Sequence, residues 1–309
     1  MVEALIHFGR PVLGLAPVGC RVSRYGMRSR LLLTLLCLLS VSGLSAASIA
    51  LQGRVLEPLP EAGALRVVLT ELSTDEWAAG DTVDFRVSAA DLELGYRGRL
   101  IRAHAVHYNK AWHLERIFPA DGIGAKAMAD INKQLHDAIA TSSRRKYLRQ
   151  GDYLPNFAMI DQHAQFRQIR GLRGTPFVMN FIFTRCRAAT MCPASTTRMA
   201  ALQQAAREAG LEQLHFVTIT FDPEFDSPAI LRQYADGYGI EHHNFHLLTA
   251  TQSVVDDLLR LFGIVTMDED GTINHSMATL LVDANGRVAY RKEGTQWGVQ
   301  EFLKQAQQL

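Results

Sequence analysis

The sequence predicts an α/β protein: a mixed central sheet flanked by helices, preceded by a small β-rich domain and a linking helix. Three observations carry this reading. Alternating, β-branched segments crowd residues 50–118. A single uninterrupted helical pattern covers 125–149. From Gly151 onward, apolar strands and amphipathic helices take turns. The composition agrees: of 309 residues, 48% are hydrophobic and 20% charged, and 32 Lys+Arg against 31 Asp+Glu give a formal charge of +1. That excludes a disordered chain and an evenly basic nucleic-acid binder. Four cysteines are too few for a disulfide scaffold.

The elements follow in order. Residues 31–44 read LLLTLLCLLSVSGL, with Arg28 and Arg30 before them and Ser45-Ala46-Ala47 after. A basic start, a short apolar run and a small-residue exit predict a secretory signal peptide over 1–47. The run is short of the ~20 residues of a membrane helix, so no stable span is expected after cleavage. An uncleaved leader would act as a membrane tether. Met27-Arg28-Ser29-Arg30 is the better start, which makes 1–26 a start-site overcall. Removing 1–47 takes away five arginines, Glu3, Cys20 and Cys37, leaving 27 positive and 30 negative residues. The exported, periplasmic body then keeps only Cys186 and Cys192. Two close cysteines in an exported protein are either paired or placed on a metal.

Residues 48–120 are expected to form a small β-rich domain of four to six strands. Leu65–Leu69 is apolar and β-branched, Gly80-Asp81 signals a turn, and 82–87, 100–107 and 112–117 alternate. His104, His107 and His113 lie in this region. It contains no methionine, so they read as solvent-facing strand residues rather than metal ligands. Over 121–150, Ala127, Ile131, Leu135 and Ile139 recur at helical spacing, ending in Arg144-Arg145-Lys146. This is the linking helix.

In 151–309, Phe177 to Phe183 (FVMNFIF) and His215 to Phe221 are buried strands. Helices are predicted at 193–209 with Gly210 as stop, at 228–236 with Ser227 as N-cap and Pro228 in the first turn, at 252–262 before Gly263, and at 298–308. Met277 to Val282 and Arg287 to Arg291 flank the turn Asp283-Ala284-Asn285-Gly286 as a hairpin. This order is that of a thioredoxin-like fold with a mixed sheet.

The main chemical signal is Phe183-Thr184-Arg185-Cys186 followed by Met191-Cys192-Pro193. Cys186 lies just past the carboxyl end of a buried strand, where open α/β sheets bind ligands. Cys192 opens the next helix, where unsatisfied N–H groups favour a thiolate. Arg185 and Arg187 add positive charge beside Cys186. Disulfide distance is reachable with five residues between the sulfurs, and a plain structural bridge is one alternative. A peroxiredoxin needs Pro-x-x-x-Thr-x-x-Cys; neither cysteine has it. The two-residue spacing of thioredoxin is absent too.

Leu154-Pro155-Asn156-Phe157, the strand ending at Cys186, Cys192-Pro193, the run Phe221-Asp222-Pro223-Glu224-Phe225-Asp226-Ser227-Pro228, and His275-Ser276 ahead of a hairpin together resemble the Sco/SenC family. The resemblance covers about 151–309. It implies a thioredoxin-like fold and a copper-binding assembly factor for the binuclear copper site of a cytochrome c oxidase subunit. Carried over by motif, the implied copper ligands are Cys186, Cys192 and His275. The family's usual spacing is Cys-x-x-x-Cys, and here the loop is two residues longer. Two thiolates and an imidazole suit Cu(I), whereas structural zinc prefers a fourth protein ligand. No proline precedes the strand in Ser276-Met277-Ala278, unlike the cis-proline of a thioredoxin, which weakens the alternative of a thiol–disulfide oxidoreductase using the Cys186 and Cys192 pair.

Asp222 is read either as a carboxylate orienting the histidine or docking a partner, or as a plain turn residue before Pro223. Asp226 and Ser227 are expected as helix caps. His242, His243 and His246 read as a solvated polar loop. Met191 reads as packing, with its thioether a further copper donor in the alternative.

Overall fold

The computed structural model describes residues 48–141, 147–269 and 272–309. The leader, with Cys20 and Cys37, and the basic run at 144–146 lie outside the described residues.

The β-rich region closes into a five-stranded barrel. β1 (Ile49–Leu59), β2 (Ala64–Leu72) and β3 (Thr82–Arg86) are followed by α1 (Ala89–Leu94), then β4 (Leu100–Tyr108) and β5 (Ala111–Pro119). The order around the barrel is β1-β2-β3-β5-β4, with β4 returning to β1 and β3 meeting β5 in parallel. The period-two alternation sends Val55, Leu65, Val67, Phe85, Ile101 and Ile117 inward, all fully buried. Gly53 sits at a register shift in β1, where a Cβ would lie 2.5 Å from Val67 Cγ1 and 2.8 Å from Val68 O. Only glycine lets the strand bend that close. α1 is capped by Ser88, whose Oγ accepts from Asp91 N, and stops at left-handed Gly95.

α2 (Gly122–Thr141) is the linking helix, described to Thr141 rather than to 149. Then come β6 (Ala158–Asp161), β7 (Phe166–Gln168), β8 (Phe177–Ile182), α3 (Cys192–Glu208), β9 (His215–Thr220), α4 (Pro228–Gly237), β10 (Phe245–Thr249) and α5 (Gln252–Phe262). β11 (Thr266–Glu269), β12 (Thr272–His275), β13 (Ala278–Val282), β14 (Val288–Glu293) and α6 (Val299–Ala306) complete the chain. The central sheet has seven strands in the order β14-β13-β8-β9-β10-β6-β7. β8, β9 and β10 are parallel, and β13, β14, β6 and β7 make it mixed. This is the expected thioredoxin-like sheet.

Besides α1 and the β6–β7 hairpin, two features escaped the sequence reading. β10 (FHLLT) is a buried central strand where only helices were expected on either side. Its five residues are all buried, so it shows no alternation to read. This also corrects the solvated-loop expectation for His246, the second residue of β10 and only 6% exposed. Second, β11 and β12 form a separate hairpin just before β13. Ser227 holds the N-cap position of α4, but its side chain makes no capping bond.

The barrel and the sheet belong to one compact unit, Ala46–Leu309. Ala164, in the turn between β6 and β7, is buried within the barrel's apolar cluster, and its carbonyl accepts from Arg99 Nη1 at 2.7 Å. Arg232 of α4 pairs with Glu93 of α1 at 2.9 Å.

Candidate metal centre

The parallel pair β8–β9 delivers two loops to one edge of the sheet. The first leaves Ile182 and carries Cys186; the second leaves Thr220 and carries Asp222 to Asp226. β13 runs antiparallel to β8, with Leu280 opposite Met179. Its amino end therefore lies beside the carboxyl end of β8, which puts the β12 residue His275 at the same edge. Pro193 starts α3 with Cys192 as its first residue. α3 is fixed from below: Asn180 of β8 donates to Ser195 Oγ at 2.9 Å and accepts from Thr218 Oγ1 at 2.6 Å.

Cys192 Sγ and His275 Nε2 stand 3.4 Å apart, both residues buried. His275 Nδ1 lies 2.9 Å from the carbonyl of Ile273. A carbonyl only accepts, so Nδ1 carries the proton and Nε2 presents a lone pair to the sulfur. Burial holds the imidazole pKa below its ordinary value, opposed by the Ile273 bond. The neutral ring thus accepts a hydrogen bond from the Cys192 thiol, which keeps its proton. Phe183 and Phe221 wall the ring, with centroids 5.5 and 4.6 Å away.

The thiolate expected at the helix terminus is not what the surroundings favour. Burial pushes the Cys192 thiol well up, and nearby Cys186 adds to this, while a backbone bond at Phe183 opposes it. Desolvation outweighs the helix end, because a fully buried anion loses far more than the terminus returns. Cys186 is half-buried and Cys192 fully buried, and both are free thiols. Cys186 Sγ is 3.9 Å from Ala188 O. Among the described residues, no three His, Cys, Asp or Glu side chains already converge on one point. The edge therefore assembles Cys192 with His275, and holds Cys186 beside them on the loop.

Asp222 does not orient the histidine. It is held by Arg185, whose Nε lies 2.8 Å and Nη2 2.6 Å from Oδ2. Ile273 takes the orienting role instead. The same guanidinium stacks 4.6 Å over Phe225, so the charge expected to serve Cys186 is shared with the neighbouring loop. Arg187 is exposed.

Asp226 is the residue the sequence reading undervalued. It is fully buried and caps nothing: its carboxylate accepts from Thr184 N at 3.1 Å and from the hydroxyls of Thr184 and Thr220. It ties the start of the Cys186 loop to the end of β9. Burial pushes its pKa up to about 6 against these bonds. The available signal was an acid two residues before a proline-initiated helix, which is also what an ordinary cap looks like. Met191 holds the N-cap position of α3, its amide donating to Ala188 O. In the barrel, His104 Nδ1 meets Ser48 Oγ at 2.9 Å and His113 stacks on Tyr108, while His107 is exposed with its ring against Trp112.

The Cys192–His275 pair passes a simple fit test. A sulfur at 2.3 Å and a nitrogen at 2.0–2.1 Å from one ion in a tetrahedral arrangement are about 3.6 Å apart, close to the separation found here. The arrangement defines a thioredoxin-like protein with a thiol–imidazole site at the carboxyl edge of its sheet. The family model described as SCO1/SenC matches residues 145–306, about half of the chain, and the chain belongs to that family. It is 27% identical over 136 residues to the SCO1 protein homolog of Bacillus subtilis (strain 168), spanning 43% of this chain and 69% of that one. It is 28% identical over 158 residues to a SCO2-like protein of Rickettsia felis, spanning 48% and 74%. A solved SCO1/SenC family lipoprotein from Bacillus anthracis str. Ames superposes with a TM-score of 0.48 at 27% identity, covering 53% of this chain and 98% of that one. The barrel lies outside the matched residues.

Proposed function

We propose that this protein holds one copper ion through Cys186, Cys192 and His275 and passes it by ligand exchange to the binuclear copper site of a cytochrome c oxidase subunit. Family membership supports the copper and assembly reading. The observation that carries the ligand set is the contact of Cys192 Sγ with His275 Nε2, a lone pair fixed by Ile273. A proton now bridges the two atoms that would share copper. Binding therefore releases thiol protons, and two soft sulfurs with one imidazole favour Cu(I). The half-buried Cys186 is the ligand best placed to let go first, since Cys192 and His275 are both buried. The leader at 1–47 supports export and a periplasmic location. Among the described residues no helix is long and apolar enough to cross a membrane.

The test is Cu(I) competition against a chromophoric chelator with the reduced full chain. One equivalent should bind tightly, and His275→Ala and Cys186→Ala should each weaken binding at least about tenfold. Binding indifferent to His275 would sink the three-ligand site. A second reading, thiol–disulfide exchange with a Cys186–Cys192 bridge as its oxidised form, is favoured by one observation: an accessible thiol lies next to a buried one. Under it, His275→Ala leaves exchange intact.

A further inference from the structure

The opposite edge of the same sheet carries a histidine group that the copper reading leaves unused. β9 and β10 are parallel, so their amino ends share the edge away from Cys186 and Cys192. His215 is the first residue of β9 and His246 the second of β10. Phe245 pairs with Phe216 and His246 with Val217, so His215, Val217 and His246 project to one face. His215 Nδ1 and His246 Nε2 are 3.3 Å apart, with the rings 25° from parallel. His246 forms part of the wall of a cavity of about 240 Å³, shared with Phe166, Arg167, Gln168, Val217 and Leu248. The neighbours add nitrogen: the His163 ring lies 5.2 Å from that of His242, and His243 acts on His215 electrostatically. Five of the chain's 11 histidines stand at this edge.

Two imidazole nitrogens bound to one tetrahedral ion at 2.0–2.1 Å are about 3.3 Å apart. The pair already has that separation, bridged by a single proton. We propose that His215 and His246 form a second cation site, of the imidazole type that takes Cu(II) or Zn(II), whose remaining coordination positions open into the cavity. Among the described residues no third His, Cys, Asp or Glu completes it. The site is therefore open and exchangeable, with water or a small anion as the other ligands. Burial keeps both rings neutral at pH 7, His246 with a pKa of about 4, so a metal meets free lone pairs rather than imidazolium. Arg167 is the cation facing the pair, and buried Asp161 engages it at 2.8 Å, which offsets its charge. The proposal stands independently of the sulfur site.

The test uses the full chain carrying Cys186→Ser, Cys192→Ser and His275→Ala, so that copper at the first site contributes nothing. One equivalent of Cu(II) is added at pH 7 and the low-temperature EPR spectrum recorded. The expected result is one tetragonal signal with hyperfine structure from two nitrogens. Adding His246→Asn or His215→Asn should erase the two-nitrogen pattern and weaken binding at least about tenfold. Adding His243→Ala, at an exposed position, should change neither. Absence of Cu(II) binding in the background chain overturns the proposal, as does a signal that survives His246→Asn or disappears with His243→Ala. His215 is only half-buried, at a strand start, so His215→Asn decides the matter should His246→Asn unfold the protein.

Discussion

At the scale of single residues, burial competes with specific partners, and the winner sets the chemistry. At Cys192 burial wins over the helix terminus, giving a neutral thiol that a metal must deprotonate. At Asp226 burial also wins, although three hydrogen bonds oppose it. Its pKa of about 6 against an ordinary 3.8 means the folded protein binds the proton more tightly than the unfolded chain. The stabilising contribution is fully present below the unfolded value and is lost as pH rises through about 6; the shift corresponds to about 3 kcal/mol. Asp226→Asn removes this titration. The stability of the parent relative to Asp226→Asn, measured by denaturant unfolding, should therefore fall between pH 4 and 7 by up to about 3 kcal/mol. A difference that stays flat with pH would remove Asp226 as a titrating group. Asp91, also raised to about 6 by burial, titrates in both proteins and cancels.

At the scale of elements, β10 shows how little local signal a strand requires, and α5 shows a helix whose stop is written in the sequence. β10 is held by its place between β9 and β6, not by its own alternation. Phe245, fully buried, packs with Phe216 at 5.5 Å between centroids. Phe245→Ala should cost about 3–5 kcal/mol in denaturant unfolding; a loss under about 1 kcal/mol would mean that the strand collapses around the gap. α5 ends as expected at Gly263, with φ +70° and its amide donating to Arg260 O. A Cβ there would stand 2.7 Å from the Tyr147 ring. Gly263→Ala should thus destabilise by about 1–3 kcal/mol, through left-handed strain and displacement of the ring. An unchanged midpoint would show that Tyr147 moves freely.

At the scale of the whole molecule, the barrel is joined to the sheet by insertion and not only by charge. Ala164 belongs to the β6–β7 turn yet sits in the barrel's core, 3% exposed, with Arg99 on its carbonyl. The Arg232–Glu93 pair, with Glu93 mostly exposed, adds at most about 1 kcal/mol. Barrel and sheet should therefore melt together in a single calorimetric transition, and Ala164→Glu, which places a charge in the barrel core, should separate it into two. Two transitions in the unaltered protein would contradict this coupling.

The amino-acid sequence by itself determined the α/β class, the β-rich start, most helices with their proline starts and glycine stops, and the cysteine pair at the end of a buried strand. All of these rest on patterns a few residues long: period, cap and turn. His275 came from the resemblance of the surrounding motif, since a single histidine has no local mark. What only the tertiary structure decided was convergence. That Nε2 of His275 faces Cys192, that Asp226 reaches Thr184, that Asp222 turns to Arg185 and that His215 meets His246 all depend on strand register across the sheet. The same holds for the thiol of Cys192, because burial is a property of everything packed around a residue and not of its neighbours in the chain.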